Sequence, residues 1–560
     1  MTGVTTILTM VPMERRALLA AAATGAAGIA AGLLLGRRLG ESDDVRRADA
    51  VDVGLAGATA GAVGIGAGLL WGRRQARRQP PERVGVAIIG GGIAGSLAAY
   101  RLAQRHPGLT IEVFEVRERV GGRLWSVPVN PVSNEVAELG GMRTPMQHRE
   151  TLELIEELGL RTHPVHAVAP ENFVRLRGHR MRRGEVRCAG QFPYRLPDDL
   201  AALHPNAFIE QLASAVGLHD LSLVGGDESG AWLDGLSYRG VRLSYLTAQD
   251  LLTEEFGGEG AAFLQDWIGY ELSDIAASKW LGTVLSVSDD DYVGVDGGMQ
   301  GIPLALASRA VDAGVGISLG WQAISITDDP DESGGLTVHL QQVGQTQTRS
   351  LRAGTVILAQ SGSAMRRLWF NSPILQRSAV LSRALSHLVE NDSIKVYLAY
   401  ERAWWRDLGL QPGKSISDGP LRQTIYLPED EQGRSLILAS YSFGRHALHA
   451  FPGLETTPDD TESGRLDGEV IRQITDALSE LHGVSVPLPI DGRGVRWGDN
   501  TFGNDIPLWG PGVEPWTIAD ALAEPLERRR LFVCGDALSL NQGWVLGALQ
   551  TTDRVLEHIG

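Results

Sequence analysis

The chain has 560 residues, 43% of them hydrophobic, which is enough to bury more than one core. Its two cysteines, Cys188 and Cys534, stand far apart, so neither a disulfide framework nor a cysteine-based metal site is suggested. The formal charge is −16; residues 1–83 hold 11 Arg against 7 Asp/Glu, so the rest carries −20, an acidic body that argues against a nucleic-acid partner.

The chain opens with two Ala/Gly-rich apolar segments, Ala17–Leu35 and Val51–Trp71, each followed by an arginine pair, Arg37-Arg38 and Arg73-Arg74. Each is near the length of a membrane-spanning helix. Glycines four residues apart (Gly28/Gly32, Gly57/Gly61, Gly64/Gly68) suit close helix packing. Arg15-Arg16 precede the first segment, and five arginines lie from Arg73 to Arg83. That flanking charge predicts a helical hairpin with both ends cytoplasmic, making membrane contact through residues 17–71 and tethering a cytoplasmic body. Two other readings stay open. Arg15-Arg16-Ala17-Leu18-Leu19, with Ala48-Asp49-Ala50 as a cleavage site, reads as a twin-arginine export signal. A flexible or peripheral tail is the third. Gln79-Pro80-Pro81-Glu82 then reads as a short stiff linker.

Val84–Ile89 is an apolar run of strand length, followed by the turn Gly90-Gly91-Gly92-Ile93-Ala94-Gly95. A helical pattern, Ser96–His106, leads to a second strand, Thr110–Phe114, closed by Glu115. This is a βαβ unit with G-x-G-x-x-G at Gly90, Gly92 and Gly95, and an acid about 20 residues on. The turn lets the backbone approach a pyrophosphate, and the helix N-terminus offers it N–H groups and a positive dipole end. Glu115 is placed to accept from ribose hydroxyls.

Three further glycine-bearing stretches follow. Arg119-Val120-Gly121-Gly122-Arg123 is R-x-G-G-R, and Glu138-Leu139-Gly140-Gly141-Met142-Arg143 is a second glycine approach. Near the end, Leu531–Asp536 reads as a strand ending in Gly-Asp, leading to the helix start Gly543-Trp544-Val545.

On these motifs the chain from about residue 84 to 560 resembles the flavin amine oxidase family. The resemblance implies an α/β fold with a Rossmann-like FAD-binding domain assembled from discontinuous segments and an α+β substrate-binding domain. The expected FAD segments are 84–145, 297–389 and 490–560; the expected substrate segments are 146–296 and 390–489. By motif, Ile93, Ala94, Glu115, Val116 and Arg123 would line the adenosine and diphosphate, with Arg119 and Gly122 of the same R-x-G-G-R loop. Gly140 to Arg143 would pass beside the isoalloxazine. Asp536 would hold the ribityl-phosphate side, and Ala323 would sit on the strand that meets the adenine. The helix opening at Gly543, Trp544 and Val545 would aim its dipole at the flavin pyrimidine oxygens. The stretch Trp497–Gly503 lacks the cysteine that some members use for attachment, so FAD is expected to be non-covalent.

Within the family the sharper resemblance is to the L-amino acid oxidase branch. Gly140-Gly141-Met142-Arg143 is similar to its G-x-M-R motif, whose arginine grips the substrate carboxylate through a planar donor pair. The ordinary alternative is a salt bridge from Arg143 to Glu138. Ile394–Tyr400 carries Lys395, which matches the lysine that holds a water near flavin N5. Leu438-Ala439-Ser440-Tyr441 places Tyr441 as a second carboxylate donor. The Gly543 carbonyl and Trp544 would meet the substrate amine and side chain; Trp497 and Trp509 are candidate walls, although tryptophans in such positions more often serve packing. The implied reaction is FAD-dependent oxidation of an L-amino acid by hydride transfer from Cα to flavin N5. It yields a 2-oxo acid, ammonia and, from dioxygen, hydrogen peroxide. The alternatives are an amino acid 2-monooxygenase of the tryptophan or phenylalanine type, an amine or polyamine oxidase, and a non-catalytic flavoprotein partner. No histidine spacing suggests a metal, and a homo-oligomer is left open.

Overall fold

The apolar strand β1, Arg83–Ile89, runs into the glycine turn and helix α1, Ile93–Arg105, and the chain returns as strand β2, Ile111–Glu115. All five residues of β2 are buried, as both faces of a parallel strand must be. The structure is a computed structural model. It describes residues 80–560 except 130–131, 133–135, 219–232, 287–291, 331–333, 455–463, 499–505, 528 and 560. The apolar segments 17–35 and 51–71 and the expected hairpin lie outside the described residues. Among the described residues, no helix is long and apolar enough to cross a membrane.

Beyond β2 the chain adds the hairpin β3, Phe173–Leu176, and β4, His179–Arg182, then the long helix α2, Ala248–Ile268. A short strand β5, Tyr292–Val295, follows. Then come β6, Gly316–Leu319, β7, Trp321–Asp328, β8, Leu336–Gln342, and β9, Thr348–Leu358. Four more are β10, Ser393–Tyr400, β11, Gly413–Ser417, β12, Gln423–Tyr426, and β13, Ser435–Phe443. The last are β14, Asp491–Trp497, β15, Leu531–Val533, and helix α3, Val545–Ile559.

Two large sheets result. In the first, β6, β2, β1, β9 and β15 run parallel, and β9 continues into an antiparallel extension with β8 and β7. Helices α1, Gly301–Asp312 and α3 cover one face, sharing a core with Ile88, Leu97, Leu306 and Leu549. The second sheet has the order β14, β10, β13, β12, β11, β3, β4 and is antiparallel except where β11 meets β3. A third, three-stranded sheet places β5 between Thr144–Pro145 and Thr162–Val165.

The pairing places one expected segment differently. Asp491–Trp497 was expected in the cofactor domain, but it is hydrogen-bonded along β10 in the second sheet. Its small and mixed residues (Gly492, Gly494, Arg493, Arg496) carry no apolar alternation that would assign it to either sheet.

Candidate active site

One cavity of about 370 Å³ is lined by residues from both sheets and from the glycine turn. At one end its wall is main chain. Gly90 has φ +113°, and a Cβ there would lie 2.4 Å from the Ala359 carbonyl oxygen. A Cβ on Gly95 would meet the Gly90 oxygen at 1.9 Å, so the helix start lies against the strand end as expected. Gly92 faces the cavity with no atom within 4 Å of where a Cβ would stand. The N–H of Gly121 donates to the Gly91 carbonyl at 2.9 Å, fastening the R-x-G-G-R loop to the turn. Ile93 and Ala94, in the first turn of α1, line the same wall with Val116, Gly122 and Ala323.

Glu115 lines the cavity too, but its carboxylate already serves the turn. Oε2 accepts from the Gly91 N–H at 2.7 Å and Oε1 from the Arg117 N–H at 2.9 Å. Burial pushes this carboxyl above its usual range; the two backbone hydrogen bonds and the charges of Arg117 and Arg119 oppose that rise. Each oxygen retains a lone pair for a hydroxyl in the cavity. Arg119 takes another direction. Its guanidinium lies 4.6 Å from the Trp125 ring centroid, and it is not among the residues that line the cavity. Gly95 likewise acts by letting α1 approach and does not line the wall. Arg123 and Asp536, 413 positions apart, form a two-pronged pair, with Nη1 donating to Oδ2 at 3.1 Å and Nη2 meeting Oδ1. Asp536 Oδ2 also accepts from the Gly543 N–H at 3.3 Å.

The residues at this end fit FAD. The open cradle at Gly92, between the α1 N-terminus and Gly122, suits a diphosphate. Gln360 Oε1 and Arg367 Nη2 are buried without a hydrogen-bond partner among the described residues, and both side chains line the cavity, as polar groups awaiting a polar ligand would.

At the other end the wall is made of side chains. Lys395, on the central strand β10, is 4% exposed. Its Nζ donates to the Gly140 carbonyl at 2.5 Å and to the Glu138 carbonyl at 3.3 Å. Burial lowers its pKa to about 7; the Glu138 charge opposes the shift and the Arg143 charge adds to it. Tyr441 is the cross-strand partner of Lys395, whose Nζ stands 4.7 Å from the Tyr441 ring centroid. Burial also raises the Tyr441 phenol well above its usual range. Gly140, Gly141, Met142 and Arg143 pass between these residues and the glycine cradle and line the cavity.

Arg143 is 8% exposed and lies with Cζ 3.9 Å from the Tyr292 ring centroid. It has no ion pair among the described residues. The alternative bridge to Glu138 is absent, because that carboxylate accepts from Ser126 Oγ and from the Met299 N–H, both at 2.6 Å. Trp544 lies nearly parallel to Tyr292, with centroids 6.5 Å apart at 15°, and edge-on to His148 at 5.3 Å. Gly543 and Val545 join Trp544 in the lining. Trp497 lines the cavity, with Nε1 donating to the Leu139 carbonyl at 2.5 Å. Trp509 does not. It is buried in an apolar cluster with Leu388, Val513 and Leu538 and donates to the Ser539 carbonyl at 2.8 Å, the packing role that is its more frequent reading.

Sequence reasoning passed over Tyr270, Leu272, Phe443 and Leu508, which line this end and pack in or on an apolar cluster built around α2 residues such as Phe263 and Leu264. It also passed over Tyr292. The alternating run Tyr292-Val293-Gly294-Val295 just before Gly297-Gly298 was the available signal. Among the described residues no cluster of potential metal ligands exists.

Comparison with known proteins agrees with this arrangement. The family model for flavin containing amine oxidoreductase matches residues 93–555. The chain is 26% identical over 502 residues to an L-amino-acid oxidase of Mus musculus, covering 86% of this chain and 71% of that protein. It is 26% identical over 521 residues to Aplysianin-A of Aplysia kurodai, covering 86% and 90%. It is 27% identical over 481 residues to an L-amino acid oxidase of Bothrops pictus, covering 83% and 87%. Among solved structures, putrescine oxidase bound to putrescine superposes with a TM-score of 0.63 at 19% identity, covering 86% and 99%, a likeness of fold.

Proposed function

The chain belongs to the family of flavin containing amine oxidoreductases, and from that premise we propose that it oxidises an L-amino acid to the 2-oxo acid, ammonia and hydrogen peroxide. The observation that carries this reading is Arg143. A buried guanidinium on the cavity wall, held on a ring and lacking an acid partner among the described residues, suits a ligand that brings its own carboxylate. A simple amine would leave that charge uncompensated, at a cost of several kcal/mol in order of magnitude.

The cofactor is FAD, and we propose that it is held non-covalently. When bound, FAD supplies the hydride acceptor for the Cα–H bond and the route by which the electrons reach dioxygen. The rest is the work of this chain. Arg143 pairs with the carboxylate, and the Tyr441 hydroxyl donates a second hydrogen bond to it. The Gly543 carbonyl accepts from the neutral amine. These three contacts fix Cα in one orientation, which converts binding into a lowered barrier. Lys395 holds the Glu138 and Gly140 carbonyls with two of its N–H groups, leaving its third N–H when protonated, or its lone pair when neutral, for an ordered water. The aromatic wall of Tyr270, Phe443, Trp497 and Trp544 keeps bulk water from the imine until the product leaves.

An anaerobic screen of the twenty L-amino acids for bleaching of the flavin, with products identified after air is admitted, tests this reading. Bleaching by amino acids and not by their decarboxylated amines, followed by 2-oxo acid and peroxide, is expected. An amide with carbon dioxide as product would replace oxidation by monooxygenation, and bleaching by amines alone would remove the carboxylate from the mechanism. We also propose that the arginine-flanked segments 17–35 and 51–71 tether the body to a membrane, which fractionation of the full chain against a chain lacking residues 1–79 tests.

A further inference from the structure

Arg143 is held by a face and not by a charge. Its Cζ stands 3.9 Å from the Tyr292 ring centroid, and it makes neither an ion pair nor a hydrogen bond with any described residue. Glu138, the acid nearest to it in sequence, has both carboxylate oxygens engaged by Ser126 and Met299. A carboxylate in the place of Tyr292 would occupy two of the five guanidinium donors and cancel the charge. A ring occupies none and cancels nothing, yet it fixes the plane of the fork.

The ring is itself well fixed. Tyr292 is 2% exposed and lies on the middle strand of the three-stranded sheet, opposite Pro145 on one side and Val165 on the other. Pro145 follows Arg143 by two residues, so strand register brings ring and guanidinium together. Trp544, in the cavity wall, lies nearly parallel to the Tyr292 ring. The carboxylate donor, its support and the wall that meets the substrate are therefore joined by ring contacts across three separate segments of the chain.

We propose that Tyr292 is the positioning residue for Arg143, setting the guanidinium plane while leaving all five donors for the substrate carboxylate. The proposal rests on the reading of Arg143 as the carboxylate site. Its consequence is selective: loss of the ring weakens ligands in proportion to their carboxylate and leaves neutral ligands of the same shape unaffected.

Wild-type, Y292F and Y292L holoenzymes are titrated with benzoate and with benzamide, following the perturbation of flavin absorbance. Y292L is expected to weaken benzoate about tenfold, the affinity equivalent of one desolvated cation–ring contact, and to leave benzamide unchanged. Y292F, which keeps the ring, is expected to bind benzoate as the wild type does. With the best amino acid of the screen, Y292L raises KM while kcat changes less. Where Y292L retains no flavin, Y292M takes its place. Wild-type benzoate affinity in Y292L overturns the proposal, and so does equal weakening of both ligands, which reports general loss of the pocket. A wild type that binds benzoate no better than benzamide instead defeats the carboxylate reading itself.

Discussion

At the nucleotide end of the cavity the wall is largely backbone: Gly90, Gly92, Ile93 and Ala94 against Gly121 and Gly122, with Glu115 pinning the turn from 24 residues away. At the substrate end the wall is side chain: Arg143 from a loop, backed by Tyr292 of a short strand, Lys395 and Tyr441 from the second sheet, Trp544 from the start of α3. The first binds a group common to many proteins, so it is made from parts that any βαβ unit can supply. The second must recognise one molecule, so it draws single residues from distant places and holds each by a different neighbour. The difference teaches where damage spreads: a change at the nucleotide end removes the cofactor, and one at the substrate end removes a single contact.

The comparison is tested most severely at Gly95. A Cβ there would stand 1.9 Å from a backbone oxygen, so Gly95→Val is expected to give a protein without bound flavin, read from its visible spectrum. Retention of full flavin would break the contrast. Arg143→Met should keep a full complement of flavin yet lose about 10²- to 10³-fold in kcat/KM for amino acids, the scale of an unpaired buried charge interaction. Loss of flavin in this variant would mean that the two ends are not separable.

Lys395 sharpens the contrast through pH. Its folded pKa is lowered from 10.5 to about 7, chiefly by burial. Between those values the unfolded chain binds more protons, so this group makes the fold more stable as pH rises from about 7 towards 10. Denaturant titration of the holoenzyme should show that rise, and Lys395→Met should flatten it. The smallest expected effect is that of Tyr441→Phe, which removes one hydroxyl donor. Loss of one neutral hydrogen bond of about 1 kcal/mol corresponds to a roughly fivefold higher KM, with flavin content unchanged.

The same contrast governs how much could be read before the fold was known. The glycine turn, the acid after the second strand and the R-x-G-G-R loop are short-range patterns with a mechanical meaning, and Ile93, Val116 and Arg123 of those patterns line the cavity. Arg143 and Lys395 were legible only through resemblance, since a lone arginine or a lysine on an alternating strand has an ordinary surface explanation. Tyr270 reaches the cavity, and Tyr292 reaches Arg143, through contacts between segments that no spacing connects. Strand β14 could not be assigned to a sheet for a related reason: its glycines and arginines do not mark a buried face, and only its hydrogen bonds to β10 decide. Trp497 and Trp509 show that residue type alone does not separate wall from core: the first lines the cavity and the second packs in the core.

The pair formed by Arg123 and Asp536 also sets a timetable. A ribosome makes the glycine turn early, but the carboxylate that holds Arg123 and the strand that docks beside β9 emerge more than four hundred residues later. Until then the half-site lacks that pair, and one edge of the parallel sheet is uncovered. Loading of the cofactor therefore belongs to the end of synthesis, and nascent chains halted before residue 531 should be released without flavin, dependent on chaperones to keep that open edge apart from its neighbours.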